Sequence, residues 1–93
     1  MVAEEIESIY IGTKEISRYI SAALFGFGKG TTIRLIARGK NVKKAIDILA
    51  ILIRDYVEEA EYEIIVDSEK FENRNISTIE IELSGKKKEK KKE

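Results

Sequence analysis

Four cationic side chains cluster around Gly39, where an alternating apolar segment meets a helical one. They are Arg38, Lys40, Lys43 and Lys44. The last two occupy the first turn of the expected helix, directly after Asn41, where the helix dipole disfavours positive charge. Backbone N–H groups at a helix start and neighbouring lysines together form a site for an anion. The cluster therefore predicts phosphate binding, and the alternative is an ordinary charged turn.

Catalytic and metal chemistry is poorly supported by the composition. The chain has no cysteine and no histidine, which removes disulfides, thiolate chemistry and nearly all zinc sites. Each of its carboxylate pairs, Glu4/Glu5 and Glu58/Glu59, consists of adjacent residues in a segment that is expected to be exposed. The segment "GFGKGTT" lacks the spacing of a phosphate-binding loop and leads from a helix into a strand, which is the wrong order. We predict no enzyme activity, no cofactor and no metal.

Charge is unevenly distributed along the 93 residues. The formal net charge is zero, but residues 86–93 hold six Lys and two Glu, so the rest of the chain carries −4. Residues 1–85 are predicted to be one domain, and residues 86–93 a disordered tail. An anion-binding surface on an acidic body must come from the arrangement of its cations.

The same composition indicates the compartment and the source. The sequence has neither an apolar run of membrane-spanning length nor a basic–apolar signal segment at its acidic start, which predicts a soluble cytoplasmic protein. Abundant Lys and Glu without Gln or Cys are typical of a thermophile.

Periodicity predicts six elements. In order they are strand, helix, strand, helix, strand and strand, over residues 6–12, 14–28, 31–38, 42–59, 61–67 and 77–84. Thr13 and Asn41 are expected to cap the two helices, and the polar stretch "SEKFENRN" is expected to be a longish hairpin loop. The predicted fold class is α/β: a two-layer β-α-β-α-β-β sandwich, with two helices on a four-stranded mixed sheet.

The second helix shows an anomaly. Its expected inner face is Val42, Ala45, Ile46, Leu49, Ile53, Tyr56 and Val57. Ile48 and Ile51 then fall among polar positions, so the middle of the helix is apolar nearly all round. Such a helix is either buried between layers or meets a partner chain.

Three segments together resemble the Alba family of archaeal chromatin proteins. They are "IYIGTKEISRYISAAL", "IRLIARGKNVKKAIDIL" and "ISTIEIEL", and the resemblance covers about residues 8–84. It implies the same fold, a homodimer and chromosome-associated binding of double-stranded DNA, and in many members RNA, with little sequence preference. The dimer would present a basic body surface between two projecting β-hairpins.

The resemblance also implies site residues. Thr13 takes the place of a family lysine that is acetylated in some members, and Glu15 that of a proline. With Lys43 of the cation cluster and Lys70 of the hairpin loop added, the predicted nucleic-acid-binding set is Lys14, Arg18, Arg38, Gly39, Lys40, Lys43, Lys44, Lys70 and Arg74. The anomaly in the second helix and the family's aromatic contact between dimers predict an interface of Ile48, Ile51, Leu52 and Tyr56.

Other interpretations remain open at this point. One is an RNA-binding component of a ribonucleoprotein, since the element order is also similar to that of the rRNA-binding C-terminal domain of a bacterial translation initiation factor. Another is a dimerisation partner of a more basic paralogue. An enzyme is the third.

Overall fold

Four strands and two helices make up residues 5–88, the part of the chain that the computed structural model describes. The elements are β1 (Ile6–Tyr10), α1 (Ile16–Gly28), β2 (Thr32–Arg38), α2 (Val42–Ile51), β3 (Val57–Phe71) and β4 (Arg74–Lys87). A 3-10 turn, Gly39–Asn41, leads into α2, and a π-helical turn, Leu52–Tyr56, follows it. The predicted order β-α-β-α-β-β is confirmed.

The strands form one mixed sheet in the order β1-β2-β4-β3. β1 and β2 are parallel, so their connection must cross over, and α1 makes that crossover. The other two strand pairs are antiparallel. Both helices pack on one face of this sheet, and no element within residues 5–88 covers the other, open face.

The core lies between the helices and the middle strands. On β2, the predicted alternation is confirmed, since Ile33, Leu35 and Ala37 are buried. Ile79, Ile81 and Leu83 of β4 are buried beside them. The first helix contributes Tyr19, Ala23 and Phe27, as its three- and four-residue spacing predicts.

The second helix differs from its prediction in length and in orientation. It ends at Ile51, and Val57 already belongs to β3. Ile48 and Leu52 are 0% exposed, whereas Ile46, expected to face inward, is 46% exposed. The core face is therefore rotated from the predicted one. Ile48 and Leu52 belong to the core of their own chain, so neither has side-chain surface to offer a dimer interface.

The hairpin of β3 and β4 is longer and tighter than predicted. The stretch expected to be a loop is mostly strand, and Ser68 pairs with Ser77 in a continuous ladder. Only Glu72 and Asn73 form the turn, with φ of 48° and 67°. Two successive positive φ values are typical of the two-residue hairpin turn whose backbone twist matches that of the two flanking strands. The outer part of the hairpin, residues 68–77, is called the arm, and its residues are mostly polar because both of its faces meet solvent.

A β-bulge interrupts β3 between Glu58 and Glu61, where Glu59 has a φ of 55°. Gly85 lies opposite, with a φ of 156°, and a Cβ on it would stand 2.6 Å from Val57 Cγ1. Glycine is thus required at this crossing by both backbone conformation and space.

Beyond the bulge, the end of β4 still pairs with the start of β3, so the tail begins later than predicted. Lys86 and Lys87, which were expected to belong to the tail, pair with Glu58 and Val57 in the sheet. The backbone N–H of Lys88 donates to the carbonyl of Tyr56 at 2.8 Å. Residues 89–93, the rest of the expected tail, lie outside the described residues.

Candidate nucleic-acid interface

The two helix starts meet at one end of the sheet. The Lys44 ammonium, in the first turn of α2, donates to the carbonyls of Gly12 at 2.7 Å and Lys14 at 3.0 Å. The loop from β1 to α1 is therefore held against the start of α2. This contact brings Lys14 to the same end of the molecule as the cations that follow β2.

Tyr19 also holds the loop from β1 to α1 in place. Its hydroxyl accepts hydrogen bonds from the backbone N–H groups of Gly12, at 2.8 Å, and Lys14, at 3.1 Å. The Lys44 ammonium also lies 5.9 Å from the centre of the Tyr19 ring, within range of a cation–π interaction. A buried tyrosine and a half-buried lysine thus fix the loop from two sides.

The predicted side-chain caps are wrong at both helices. Glu15 occupies the N-cap position of α1, and no side chain caps that helix end. Thr13 lies two residues earlier, in the loop that Tyr19 holds. Asn41 does precede α2, but its helical φ of −87° and ψ of −5° put it inside the 3-10 turn, without a side-chain bond. The chain enters α2 through that turn's own backbone bonds instead.

Arg38, Gly39 and Lys40 lie where β2 ends. Gly39 has a φ of 57°, a left-handed conformation that lets the extended strand bend directly into the 3-10 turn. Lys40 is exposed on that turn. The Arg38 guanidinium lies 3.0 Å from Glu69 of β3, with both side chains more than half exposed.

The remaining predicted cations differ in their surroundings. Lys43 pairs with Asp47 one helical turn away, at 3.0 Å. Lys14, Arg18 and Lys40 are exposed and make no ion pair within residues 5–88. Exposed ion pairs contribute little stability and open readily. Lys14, Arg18 and Lys40 are therefore the cations near the helix starts that are most accessible to a phosphate.

Lys70 and Arg74 lie next to the hairpin turn, on opposite faces of the arm. Arg74 pairs across the strands with Phe71, whereas Lys70 pairs with Asn75. Directly paired residues share a face and successive residues alternate. The arm therefore carries one cation on each face.

The open face of the sheet holds much of the body's negative charge, which the sequence did not reveal. Six carboxylates share it: Glu61, Glu63, Asp67, Glu69, Glu80 and Glu82. Arg34 also lies there, 2.9 Å from Glu80 and 2.7 Å from Glu82. The hydrogen bond to Glu82 raises the pKa of the Arg34 guanidinium above its ordinary value. The open face thus carries mainly negative charge, although Arg34, Arg38 and Arg74 also lie on it.

A comparison with protein families identifies the architecture. The family model described as Alba matches residues 7–69, from the middle of β1 to the outer part of β3. The chain belongs to the Alba family. The loop held by Tyr19, the Arg38–Gly39 turn and α2 all fall inside the matched region.

Relatives of this Alba-family chain extend the match to nearly its full length. It is 36% identical to the DNA/RNA-binding protein Alba of Picrophilus torridus over 90 residues, covering 89% of this chain and 99% of the relative. It is 34% identical to the DNA/RNA-binding protein Alba of Nitrosopumilus maritimus over 91 residues, covering 89% and 95%.

Solved structures agree on the fold. Alba from Thermoplasma volcanium superposes with a TM-score of 0.70 at 30% identity, over 84% of this chain and 99% of that one. ALBA1 from Trypanosoma brucei superposes with a TM-score of 0.73 over 85% and 68%, and its 14% identity supports the fold alone.

Metal binding and membrane spanning find no support in residues 5–88. No group of carboxylates in this range is arranged to hold a metal ion. No helix in it has the length and apolar character needed to cross a membrane.

Proposed function

We propose that this Alba-family chain binds DNA or RNA through phosphate contacts, with little regard to sequence. The observation that carries the proposal is the Lys44 bridge from α2 to Gly12 and Lys14. It brings two helix starts and their cations together at one end of the sheet, and helix starts attract phosphate. The relatives' name, DNA/RNA-binding protein Alba, supports the same function.

Weak sequence preference follows from the kind of side chain at this surface. The accessible groups are the ammoniums of Lys14 and Lys40 and the guanidinium of Arg18. Flexible cations on exposed turns reach phosphates, which are the same in every sequence. A DNA-bound form would be associated with the chromosome, and an RNA-bound form with a ribonucleoprotein.

Self-association is the second part of the proposal. The helix side of β3 carries Tyr62, Ile64 and Val66, which are 53%, 43% and 69% exposed. Ile46 lies on the flank of α2 opposite Lys44, because residues two apart lie on nearly opposite sides of a helix. Neither helix covers these side chains, and a second copy would remove them from water.

This surface replaces part of the interface that was predicted from the sequence. Ile51 is half-buried and Tyr56 is 40% exposed, so both still have surface for a partner. A homodimer would double the phosphate-binding surface across its axis, and a more basic paralogue could take the place of one copy.

The proposed function is tested by titrating the full chain with two unrelated DNA duplexes and one RNA duplex over a series of salt concentrations. We expect similar affinity for both DNA sequences, and a linear fall of log affinity with log salt concentration, with about 0.9 of slope for each phosphate contact. Affinity independent of salt, or confined to one sequence, would contradict the proposal.

A further inference from the structure

A shallow pocket lies where the hairpin arm leaves the body, on the open face of the sheet. Its volume is about 330 Å³, and its lining residues are Arg38, Gly39, Phe71, Arg74 and Ile76. This volume falls at the lower end of the range for small-molecule sites, about 300–1,000 Å³. Three chain segments converge on it: the end of β2, the end of β3 and the start of β4.

Phe71 is the central feature of the pocket. Its side chain is 51% exposed, although it lies next to a solvent-facing turn on an otherwise polar arm. It pairs directly with Arg74, so the ring and the guanidinium share one face. Ile76, two residues further along β4, lies on that face as well and is half-buried. An apolar ring is thus presented to solvent beside an aliphatic side chain and a cation.

Arg38 closes the pocket from the body side. Its guanidinium is held 3.0 Å from Glu69, whose side chain is 57% exposed. Glu69 pairs across the strands with Ile76, which places the carboxylate on the same face as Phe71. The free chain therefore keeps one of the two pocket arginines neutralised by an exposed and easily opened ion pair.

We propose that this pocket receives an unpaired base of a single-stranded nucleic acid, stacked on Phe71. Arg38 and Arg74 flank the ring and neutralise the phosphates on either side of that base. A base inside a duplex offers only its edge, whereas an unpaired base offers the flat face that stacks on an aromatic ring. The inference rests on the proposed nucleic-acid binding and adds a second site to it, at the far side of the Arg38 turn.

Phe71→Ala tests the proposal, with Phe25→Ala as the matched control. Phe25 is a phenylalanine that is 67% exposed on α1, outside the pocket. Binding is measured to a single-stranded RNA, to the single-stranded DNA of the same sequence and to the corresponding duplexes. We expect Phe71→Ala to weaken single-strand binding about 5- to 150-fold, the range for loss of one stacked base. Duplex affinity is expected to change less than about twofold, within the neutral range for surface changes, and Phe25→Ala is expected to change neither.

Two further variants keep the test decisive if the alanine form is poorly folded. Phe71→Trp retains a stacking surface and should bind single strands at least as tightly as the parent chain. Glu69→Gln releases Arg38 and should tighten single-strand binding. Equal effects of Phe71→Ala on RNA and DNA strands would show that the pocket contacts the base and not the sugar. An effect on RNA alone would show that the pocket also contacts the ribose.

The outcomes separate this inference from the proposed function. If the parent chain binds duplexes with a steep salt dependence but Phe71→Ala leaves single-strand affinity unchanged, the pocket proposal is wrong and the phosphate-binding proposal stands. Equal weakening of single strands and duplexes by Phe71→Ala would also overturn it, because stacking requires an unpaired base. If the parent chain binds neither form, both proposals fall together.

Discussion

The Lys44 ammonium donates a hydrogen bond to the backbone carbonyl of Gly12 over 2.7 Å, across 32 positions of sequence. It joins the start of the second helix to the loop ahead of the first, and the Tyr19 hydroxyl holds the same loop from the protein side. One of the four cations that attract attention in the sequence thus has a structural task. The proposed phosphate-binding surface is built around it.

Lys44→Met is therefore expected to destabilise the fold. It removes two hydrogen bonds from a charged donor, so we expect a loss of about 1–3 kcal/mol in the free energy of unfolding. Lys43→Met is the control, because its ammonium bonds only the exposed Asp47. Chemical denaturation of both variants measures the difference, and equal stability would show that the Lys44 contacts are incidental.

Gly85→Ala is expected to cost about 1–3 kcal/mol, because it forces a side chain into a positive φ against the bulge at Glu59. Gly28→Ala is the matched control. Gly28 ends α1, and a Cβ added there would meet no neighbouring atom within 4 Å, so alanine should be neutral or slightly stabilising. Thermal unfolding distinguishes the two, and an unaffected Gly85→Ala form would contradict the need for glycine opposite the bulge.

The two-residue turn of the hairpin offers a stabilising change. Glu72 has a φ of 48° with an ordinary side chain, and asparagine tolerates this conformation better. We expect Glu72→Asn to raise the free energy of unfolding by a few tenths of a kcal/mol, up to about 1. Glu61→Asn, in an extended part of β3 and paired with the uncharged Ser84, should give no gain. A stabilisation by both changes would point to charge removal as the cause.

Ile64 and Ile65 are neighbours on opposite faces of β3, and they test the proposed dimer surface. Ile64 lies on the helix side and is 43% exposed, whereas Ile65 lies on the open face and is 51% exposed. We expect Ile64→Glu to shift the molecular mass in light scattering from dimer to monomer, and Ile65→Glu to leave it unchanged. A monomeric parent chain, or equal effects of both changes, would refute this surface.

The fold was predictable where the residue pattern of an element allowed only one choice of the side chains that face the core. In β2 an alternation of period two fixes which side chains face the helices, and Ile33, Leu35 and Ala37 are buried as expected. In α2 nearly every side of the helix is apolar, so several core faces fit the sequence equally well. No glycine or proline marks its end at Ile51, which explains why the predicted helix ran into β3.

The rest of the site depends on contacts that sequence spacing does not encode. The polar stretch "SEKFENRN" looks like a loop, because an arm with two solvated faces has no alternation to reveal it as strand. Lys44 and Gly12 are distant in the chain, so their hydrogen bond could not be inferred from either segment. Phe71 was a weak signal that could have been used, as the one aromatic residue in that polar stretch.

The central claim is that phosphates contact the surface built from the two helix starts. It is tested most directly by removing two cations from that end of the sheet and, in a control variant, two cations from the opposite end. Lys14→Ala and Lys40→Ala are made together in one variant. Lys29→Ala and Lys86→Ala are made together in the control, since both lie at the end of the sheet opposite Arg38. The measured quantity is the slope of log affinity against log salt concentration for a short DNA duplex. We expect the first variant to lower that slope by about two for each bound chain, with roughly 0.9 for each lost contact, and the control to leave it unchanged. Equal changes in both variants, or none in the first, would contradict the claim.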